Sequence, residues 1–433
     1  MPDPQAHVGF RFLKRFQCRA SACEETCCVG WSVPVDEAHY AAIREAMSGS
    51  EAERLEFARA FTPESDPKRR TVALAVIRPD RSCSLLDEDR LCSLQRRYGE
   101  SVLPDICASY PRVASRVRDR IEVSGSLSCP EMARLCLLAE DATELTELDP
   151  ATLGRLRLFL QLGKPENLYE AAFDDVRSLV LFLLAQRQYP IKSRLFFLAL
   201  LAQKCGPFLR PDGGREEGMR LHRLLSDVRR QEGLDQLHRQ FRLIELDNPF
   251  CLSVITQILP AAWSAELLGF RAMLAQVLAP YAADPDSGVQ LAASGAPTFD
   301  PDRLHEAYRR RSAVLPPRLE QRIELYFENF CTNFFFKDWY LRSPSLMRHV
   351  MGLLVRVATI RFLLLSHPDV VALAGSDSEL AAKQEVLDRA AVQVFYTVAR
   401  ALDHAEPLMN AVHEGLAEQQ METLNHAMCL IKF

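Results

Sequence analysis

Residues 18–31 read Cys18-Arg-Ala-Ser-Ala-Cys23-Glu-Glu-Thr-Cys27-Cys28-Val-Gly30-Trp31, which places four thiols within eleven residues. Nine of the 13 cysteines lie in the first 136 residues. The odd total and the lack of a recognisable export signal argue against a disulfide framework. Crowded thiolates repel one another, and a bound cation removes that cost. We therefore predict a metal centre with ligands drawn from Cys18, Cys23, Cys27, Cys28, Cys83, Cys92, Cys107 and Cys129.

An iron–sulfur cluster, most simply of the 4Fe-4S type, is the first choice for this centre, and zinc is the second. Structural zinc sites usually show two separate Cys-x2–4-Cys pairs, without adjacent cysteines such as Cys27 and Cys28. Cys129 precedes a proline, as one cluster ligand of bacterial ferredoxins does. The Cys-x3-Cys-x2-Cys spacing of radical enzymes is not present. The competing interpretation is a set of unligated thiols, which is how we interpret the scattered cysteines Cys205, Cys251, Cys331 and Cys429.

The charge balance excludes several classes of function. The chain has 52 basic and 57 acidic residues, a formal charge of −5, and neither end is polarised, so a basic nucleic-acid surface is not expected. The longest apolar runs, 179–185 and 195–202, are far shorter than the ~18 residues needed to span a bilayer. No Walker loop, His-Glu-x-x-His or Gly-x-Ser-x-Gly motif occurs. We expect a cytoplasmic protein that binds neither nucleic acid nor membranes.

Two regions are predicted along the chain. Residues 1–145 are interpreted as an irregular, cysteine-rich metal-binding region, with short extended pieces such as 71–77 and 121–123. In 146–433, apolar residues recur at three- and four-residue intervals between Pro and Gly breaks, which predicts an all-helical domain. The segment 283–301, rich in Asp, Ser, Gly, Ala and Pro, is predicted to be a flexible loop. The predicted fold is therefore mainly α, with no glycine-rich cofactor turn after a strand.

Four motifs resemble the bacterial flagellin lysine N-methylase family. They are Cys18…Cys23-Glu-Glu-Thr-Cys27-Cys28-Val-Gly-Trp31…Asp36, Cys83-Ser-Leu-Leu…Cys92-Ser-Leu-Gln, Cys107-x2-Tyr-Pro-Arg112 and Ser126-Leu-Ser-Cys129-Pro-Glu131. The resemblance covers the first third of the chain and, more loosely, the helical remainder. The cysteine motif is also similar to small proteins that chelate zinc or iron. The family resemblance implies an iron–sulfur protein that uses S-adenosylmethionine to methylate lysines of flagellin.

Residues 326–340 hold eight aromatic side chains in fifteen positions. Rings beside Glu328, Asn329 and Asn333 are a candidate site for the sulfonium cofactor or a lysine, and Trp31 is a second candidate surface. Methyl transfer needs an unprotonated amine, although a free lysine has a pKa of ~10.4, so a proton acceptor such as Glu328 or Tyr110 is required. The competing interpretation is a central helix buried on most sides, with Trp31 packed on the metal loop.

The alternative function is a non-catalytic zinc- or iron-chelating protein whose helical part binds a partner. Binding of S-adenosylmethionine distinguishes the two, because a pure metal-storage protein has no use for it.

Overall fold

The computed structural model describes residues 6–66, 71–376, 379–404 and 406–433. It is 59% helical, which confirms the prediction of a mainly α fold. Within these ranges no helix combines the length and the apolar character that crossing a membrane requires.

The secondary structure begins with strands and ends with helices. The strands are β1 (His7–Phe10), β2 (Pro34–Asp36), β3 (Phe61–Asp66), β4 (Thr71–Ala75), β5 (Arg112–Val117), β6 (Arg120–Gly125), β7 (Leu145–Glu147), β8 (Leu158–Leu162), β9 (Val289–Leu291) and β10 (Pro297–Phe299). The helices up to residue 205 are α1 (Glu37–Ala46), α2 (Glu51–Ala60), α3 (Ser93–Tyr98), α4 (Asp105–Ser109), α5 (Pro130–Leu138), α6 (Pro150–Leu153), α7 (Leu168–Ala171), α8 (Phe173–Leu184) and α9 (Ile191–Cys205). The later helices are α10 (Arg215–Val228), α11 (Gln231–Leu243), α12 (Phe250–Ser264), α13 (Leu268–Ala282), α14 (Pro301–Arg311), α15 (Pro317–Lys337), α16 (Leu346–Leu365), α17 (Pro368–Leu373), α18 (Leu380–Asp403), α19 (Glu406–Glu418) and α20 (Leu424–Lys432). Single 3₁₀ turns span Arg11–Arg15, Ala20–Ala22, Glu100–Val102 and Tyr340–Arg342.

The N-terminal region is more regular than the sequence indicated. Five strands form a mixed sheet in the order β7-β1-β6-β5-β8, in which β1 and β6 are parallel and β5 and β6 are antiparallel. The predicted extended piece at 121–123 is the centre of β6. Because β8 lies at 158–162, this sheet takes strands from both sides of the predicted boundary near residue 145. Its inner face packs into the same hydrophobic core as the helices.

Residues 33–108 form a separate small unit. The sheet β2-β4-β3 and helices α1 to α4 enclose 14 buried hydrophobic residues that are distinct from the main core. Helix α2 begins after Ser50, whose hydroxyl accepts a hydrogen bond from the Glu53 amide, and ends at Ala60, where β3 follows directly. This unit carries Cys83, Cys92 and Cys107.

The helical region has a central group of long, buried helices. Helix α16 buries 17 of its 20 residues, because helices α9, α12, α18 and α20 surround it. Helix α15 is the predicted aromatic helix, and it packs on α5, α8 and α18. The C-terminal end of α18 faces the cysteine-rich segments, and hydrogen bonds at this end join the helical region to them.

The segment 283–301 differs from its predicted form. It contains an antiparallel hairpin of β9 and β10, in which Val289 and Pro297 are buried. Gly288 and Gly295 hold φ angles of 71° and 79°, a conformation that glycine adopts without a steric penalty. The loop-like composition of this segment therefore reflects the tight turns around two very short strands.

Candidate metal centre and the polar network beside it

Five cysteines line one cavity. Cys27 and Cys28 come from the N-terminal stretch, and Cys83, Cys92 and Cys107 come from the small unit. The rest of the wall is mostly apolar, and the space open to water measures about 70 Å³. The structure therefore brings together five of the eight predicted metal ligands, from sequence positions up to 80 residues apart.

Backbone pairing holds these cysteines in place. The Cys83 amide donates to the Cys28 carbonyl at 2.8 Å, and the Leu86 amide donates to the Cys83 carbonyl at 3.0 Å. Gly30 makes the turn after Cys28 with a φ of 90°, a value that favours glycine. Cys92 directly precedes α3, and after hydrogen bonding from Cys28 the backbone amides of Gln95 and Leu94 also lower the pKa of its thiol. The cavity is thus held by turns around each cysteine and by a backbone hydrogen bond between two segments that are distant in sequence.

The thiols of this cavity do not share one protonation state. The Cys27 and Cys28 sulfurs are 4.0 Å apart. Hydrogen bonding from Cys28 lowers the pKa of Cys27 to about 7 and that of Cys92 to about 6. The same contacts, first with Cys27 and then with Cys92, raise the pKa of Cys28. Two thiolates near neutral pH are the form that binds metal.

The other three predicted ligands lie to one side. Cys18 is exposed, Cys23 is half-buried and Cys129 is buried at the start of α5. Burial raises the pKa of Cys129 to about 12, and the charges of Cys23 and Cys27 act in the same direction. Cys129 follows Ser128, whose hydroxyl is 3.1 Å from that of the cavity residue Tyr110, whereas Cys205, Cys251 and Cys331 are buried and Cys429 is half-buried in the helical region.

The spacing of the sulfurs bears on which metal they fit. Around one tetrahedral zinc ion, thiolate sulfurs stand about 3.8 Å apart, given Zn–S bonds of about 2.3 Å. Within the described residues, no three cysteine sulfurs lie within 4.8 Å of one another; the one group that close is Asp36, His39 and Asp105. In a multi-iron cluster each thiolate binds a different iron, so the sulfurs stand further apart. The Cys27–Cys28 pair, at 4.0 Å, has the spacing of two zinc ligands, and among the described residues no third cysteine sulfur lies within 4.8 Å of both.

A polar network lies beside the cavity and centres on Ser128, which is fully buried. Its hydroxyl is 3.1 Å from the Tyr110 hydroxyl, 2.8 Å from the Ser126 hydroxyl and 2.9 Å from His404 Nε2. Burial raises the pKa of Tyr110, so the phenol keeps its proton at neutral pH. Trp31 stacks on His404 at 6.0 Å between ring centroids and lies 5.7 Å from the Tyr110 ring.

His404 was not among the predicted site residues, because it stands alone in the sequence at the C-terminal end of α18. It is exposed on its outer side, while its inner edge packs on Trp31 and Ser128. Loss of water at that edge lowers the pKa of His404, and Lys337 and Arg400 act in the same direction against the opposing effect of Asp403. The imidazole is therefore neutral at pH 7 and able to accept a proton. The one sequence signal nearby is the motif Ser126-Leu-Ser-Cys129.

The predicted residues of the aromatic helix lie elsewhere. Glu328 is buried and accepts hydrogen bonds from Arg187 at 2.9 Å and Arg194 at 2.7 Å. Asn329 accepts from Thr143 and donates to two carbonyls of the α5 end, and Asn333 donates to the Gly125 carbonyl of β6. Each side chain has internal partners that join α15 to its neighbours. Their role in holding a cationic ligand stays a prediction, and these contacts favour the packing interpretation.

Comparison with known proteins gives the following relatives. The family model described as the FliB lysine N-methylase C-terminal domain matches residues 177–430. The chain is 28% identical over 176 residues to a lysine-N-methylase of Salmonella typhimurium, which is 36% of this chain and 39% of that protein. It is 31% identical over 140 residues to the flagellar biosynthetic protein FliU of Salmonella muenchen, which is 31% of this chain and 79% of that protein. No solved structure is significantly similar.

Proposed function

The chain belongs to the FliB lysine N-methylase family, and from this we propose that it is a protein-lysine N-methyltransferase that acts on flagellin with S-adenosylmethionine as methyl donor. The observation that carries the proposal is the family match over 177–430, together with the lysine-N-methylase relative. Flagellin as the substrate is supported by the relative named as a flagellar biosynthetic protein. The match spans 39% of the lysine-N-methylase's own length, so activity and substrate are both part of the proposal.

We propose further that the cysteine cavity holds an iron–sulfur cluster, with zinc as the second choice. Cys27, Cys28, Cys83, Cys92 and Cys107 are the ligand candidates in the cavity wall, and Cys129, Cys23 and Cys18 are the candidates beside it. The low pKa of Cys27 and Cys92 supports a metal centre, and the adjacent pair Cys27 and Cys28, which structural zinc sites usually lack, favours a cluster over zinc. A methyl displacement does not require a cluster, so its first role here is to hold the small unit together.

The network around Ser128 offers the proton acceptor that methyl transfer needs. When bound, S-adenosylmethionine supplies an electrophilic methyl group on a sulfonium ion. Trp31 and Tyr110 present aromatic surfaces that attract the lysine ammonium. Neutral His404 is the base at the far end of the route from Tyr110 through Ser128.

One proton must leave the lysine before the methyl group is transferred. The lysine ammonium gives a proton to the Tyr110 oxygen, the Tyr110 proton moves to Ser128, and the Ser128 proton moves to His404 Nε2. The freed amine would then accept the methyl group that bound S-adenosylmethionine would supply, with the electron pair of the broken carbon–sulfur bond staying on sulfur. The outer side of His404 is exposed, so the imidazolium can return its proton to water.

The test is methyl transfer from labelled S-adenosylmethionine to purified flagellin, read by mass spectrometry of its lysines. We expect His404→Gln to lose about 100-fold or more in rate, within the ~10²–10⁴-fold that general bases contribute. His222→Gln, an exposed histidine on α10, is the matched control and should match wild type. Wild-type activity should fall as the pH drops through the lowered pKa of His404, because protonation removes the acceptor.

Failure of the metal-loaded wild-type protein to methylate flagellin at any pH would contradict the proposed activity. Metal retention without any binding of S-adenosylmethionine would instead support the alternative of a non-catalytic metal-binding protein.

A further inference from the structure

Arg400, in the last turn of α18, contacts two cysteine-bearing segments, one at Thr26 and one at Ser128. Its Nε donates to the Ser128 carbonyl at 2.8 Å, and its Nη2 donates to the Thr26 carbonyl at 3.0 Å. Its Nη1 lies 3.9 Å from Glu25 Oε1, and only 10% of the side chain is exposed. One guanidinium group therefore joins two segments, at 25–26 and at Ser128, that are distant in sequence from each other and from α18.

Both acceptor carbonyls belong to residues that directly precede cysteines. Thr26 precedes Cys27, and Ser128 precedes Cys129. A guanidinium is planar and its donors are fixed relative to one another, so two bonds from it set the distance between their acceptors. Lysine has a flexible stem and a point charge, and it cannot reproduce this geometry. Arg400 thus sets how far Cys129 stands from Cys27.

The position of Arg400 in the chain adds a second point. All eight candidate ligands lie between residues 18 and 129, outside the part matched by the family model, while Arg400 lies inside it. The helical domain therefore reaches the cysteines through the end of α18. His404, one turn further on, contacts the Ser128 hydroxyl, so the same helix end holds Ser128 by its backbone and its side chain.

We propose that Arg400 is the positioning residue that completes the metal centre, by holding the Cys27–Cys28 segment and Cys129 in register when α18 docks. This inference rests on the proposed metal centre, but not on methyl transfer. The guanidinium also places a positive charge beside the thiolates, which reduces the net charge of a bound cluster. Residues that orient ligands without binding the metal typically change its affinity by ~10–100-fold when they are replaced.

The experiment compares wild type, Arg400→Gln, Arg400→Lys and a control, Arg322→Gln. Arg322 on α15 forms an ion pair at 2.8 Å with Asp388, which lies on α18 as Arg400 does. Replacing Arg322 therefore perturbs α18 without removing a contact to the cysteine segments. Each protein is loaded anaerobically with ferrous iron and sulfide, and bound iron, visible absorption, reduction potential and the rate of iron loss to a chelator are measured. No flagellin or S-adenosylmethionine is needed.

We expect Arg322→Gln to hold iron as wild type does, and Arg400→Gln to lose it about 10–100 times faster. Arg400→Lys keeps the charge but not the planar geometry. Its reduction potential should therefore be close to that of wild type, while its rate of iron loss should stay higher than that of wild type. Far-UV circular dichroism shows whether each variant is folded, and if Arg400→Gln does not fold, the rate of iron loss from Arg400→Lys decides.

Iron loss at the wild-type rate from folded Arg400→Gln or Arg400→Lys would overturn the role of Arg400 and leave the metal centre standing. A wild-type protein that binds no metal would overturn both. Faster iron loss from Arg400→Gln than from wild type and Arg322→Gln would support the role of Arg400 even if the separate flagellin test contradicted the proposed activity.

Discussion

The small unit at 33–108 and the helical region use cysteine in opposite ways. The small unit encloses only 14 buried hydrophobic residues, and three of its cysteines face a shared cavity. The helical region shares one much larger core with the five-stranded sheet, and Cys205, Cys251 and Cys331 are buried within it. A unit of this size has a marginal core of its own, so a metal adds folding energy where hydrophobic burial is insufficient. The same side chain is a proposed metal ligand in one region and a small apolar residue in the other.

Metal removal should give the largest difference between the two regions. We expect chelation to remove most of the amide protection from hydrogen exchange in 33–108, because the cavity would then hold crowded thiolates over a small core. Protection in α15, α16 and α18 should change little. Hydrogen exchange with mass spectrometry, with and without metal, measures both.

Two matched substitutions test the same difference. Cys92→Ser should lose the metal, while Cys205→Ser should keep it and cost at most a few kcal/mol of unfolding free energy. Equal behaviour of the two variants would mean that the assignment of Cys92 to a metal centre is wrong.

The Glu328→Gln variant probes the helical core. It leaves buried Arg194 with only the more distant carboxylate of Glu324, at 3.7 Å, so we expect a loss of up to about 3–5 kcal/mol in unfolding free energy. Glu320→Gln, on the same helix but exposed, should stay within about 0.5 kcal/mol of wild type. Denaturant titration measures both, and a large loss of S-adenosylmethionine affinity in still-folded Glu328→Gln would return this residue to the binding site.

Acid should weaken the helical region through a buried histidine, His349, and a half-buried one, His413. Burial, followed by the charge of Arg356, lowers the pKa of His349 to about 3 and that of His413 to about 4. Because the unfolded chain takes up protons at about 6.5, the stability is complete above that pH and is lost as the pH falls towards 4 and 3. At pH 5 we expect a loss of about 2 kcal/mol per histidine.

The His349→Gln, His413→Gln double variant is the comparison for this effect. Its unfolding free energy should depend less steeply on pH between 7 and 5 than that of wild type. An unchanged pH slope would contradict the assignment of the acid sensitivity to these two side chains.

Helix caps should give the smallest effect and the least difference between regions. Ser50 caps α2 in the small unit, and Ser345 caps α16 in the helical region, each by accepting one backbone amide. Replacing either with Ala should cost about 1 kcal/mol, because the lost bond is local. Thermal melts of the two metal-loaded variants should therefore shift by similar amounts, and a much larger shift for Ser50→Ala would show that its cap also supports the metal-bound unit.

The sequence predicted the helices better than the sheets. Periodicity identified the helical region and the aromatic helix, because apolar residues recur every three to four positions along a helix that packs against a core. The strands of the five-stranded sheet are short, and β1 pairs with β6 more than 110 residues away. Such pairing leaves no local signal beyond alternation, so the prediction of an irregular N-terminal region underestimated its order.

For the candidate site, the amino-acid sequence by itself determined the ligand chemistry: the adjacent thiols of Cys27 and Cys28, the later cysteines, and Trp31 and Tyr110 in the same motifs. Only the tertiary structure decided which groups meet. It placed His404 against Ser128, 276 positions away, and gave Glu328 two arginine partners. The physical reason is that thiol chemistry and helix periodicity are encoded in neighbouring residues, whereas hydrogen bonds and ion pairs between distant segments depend on how the helices dock.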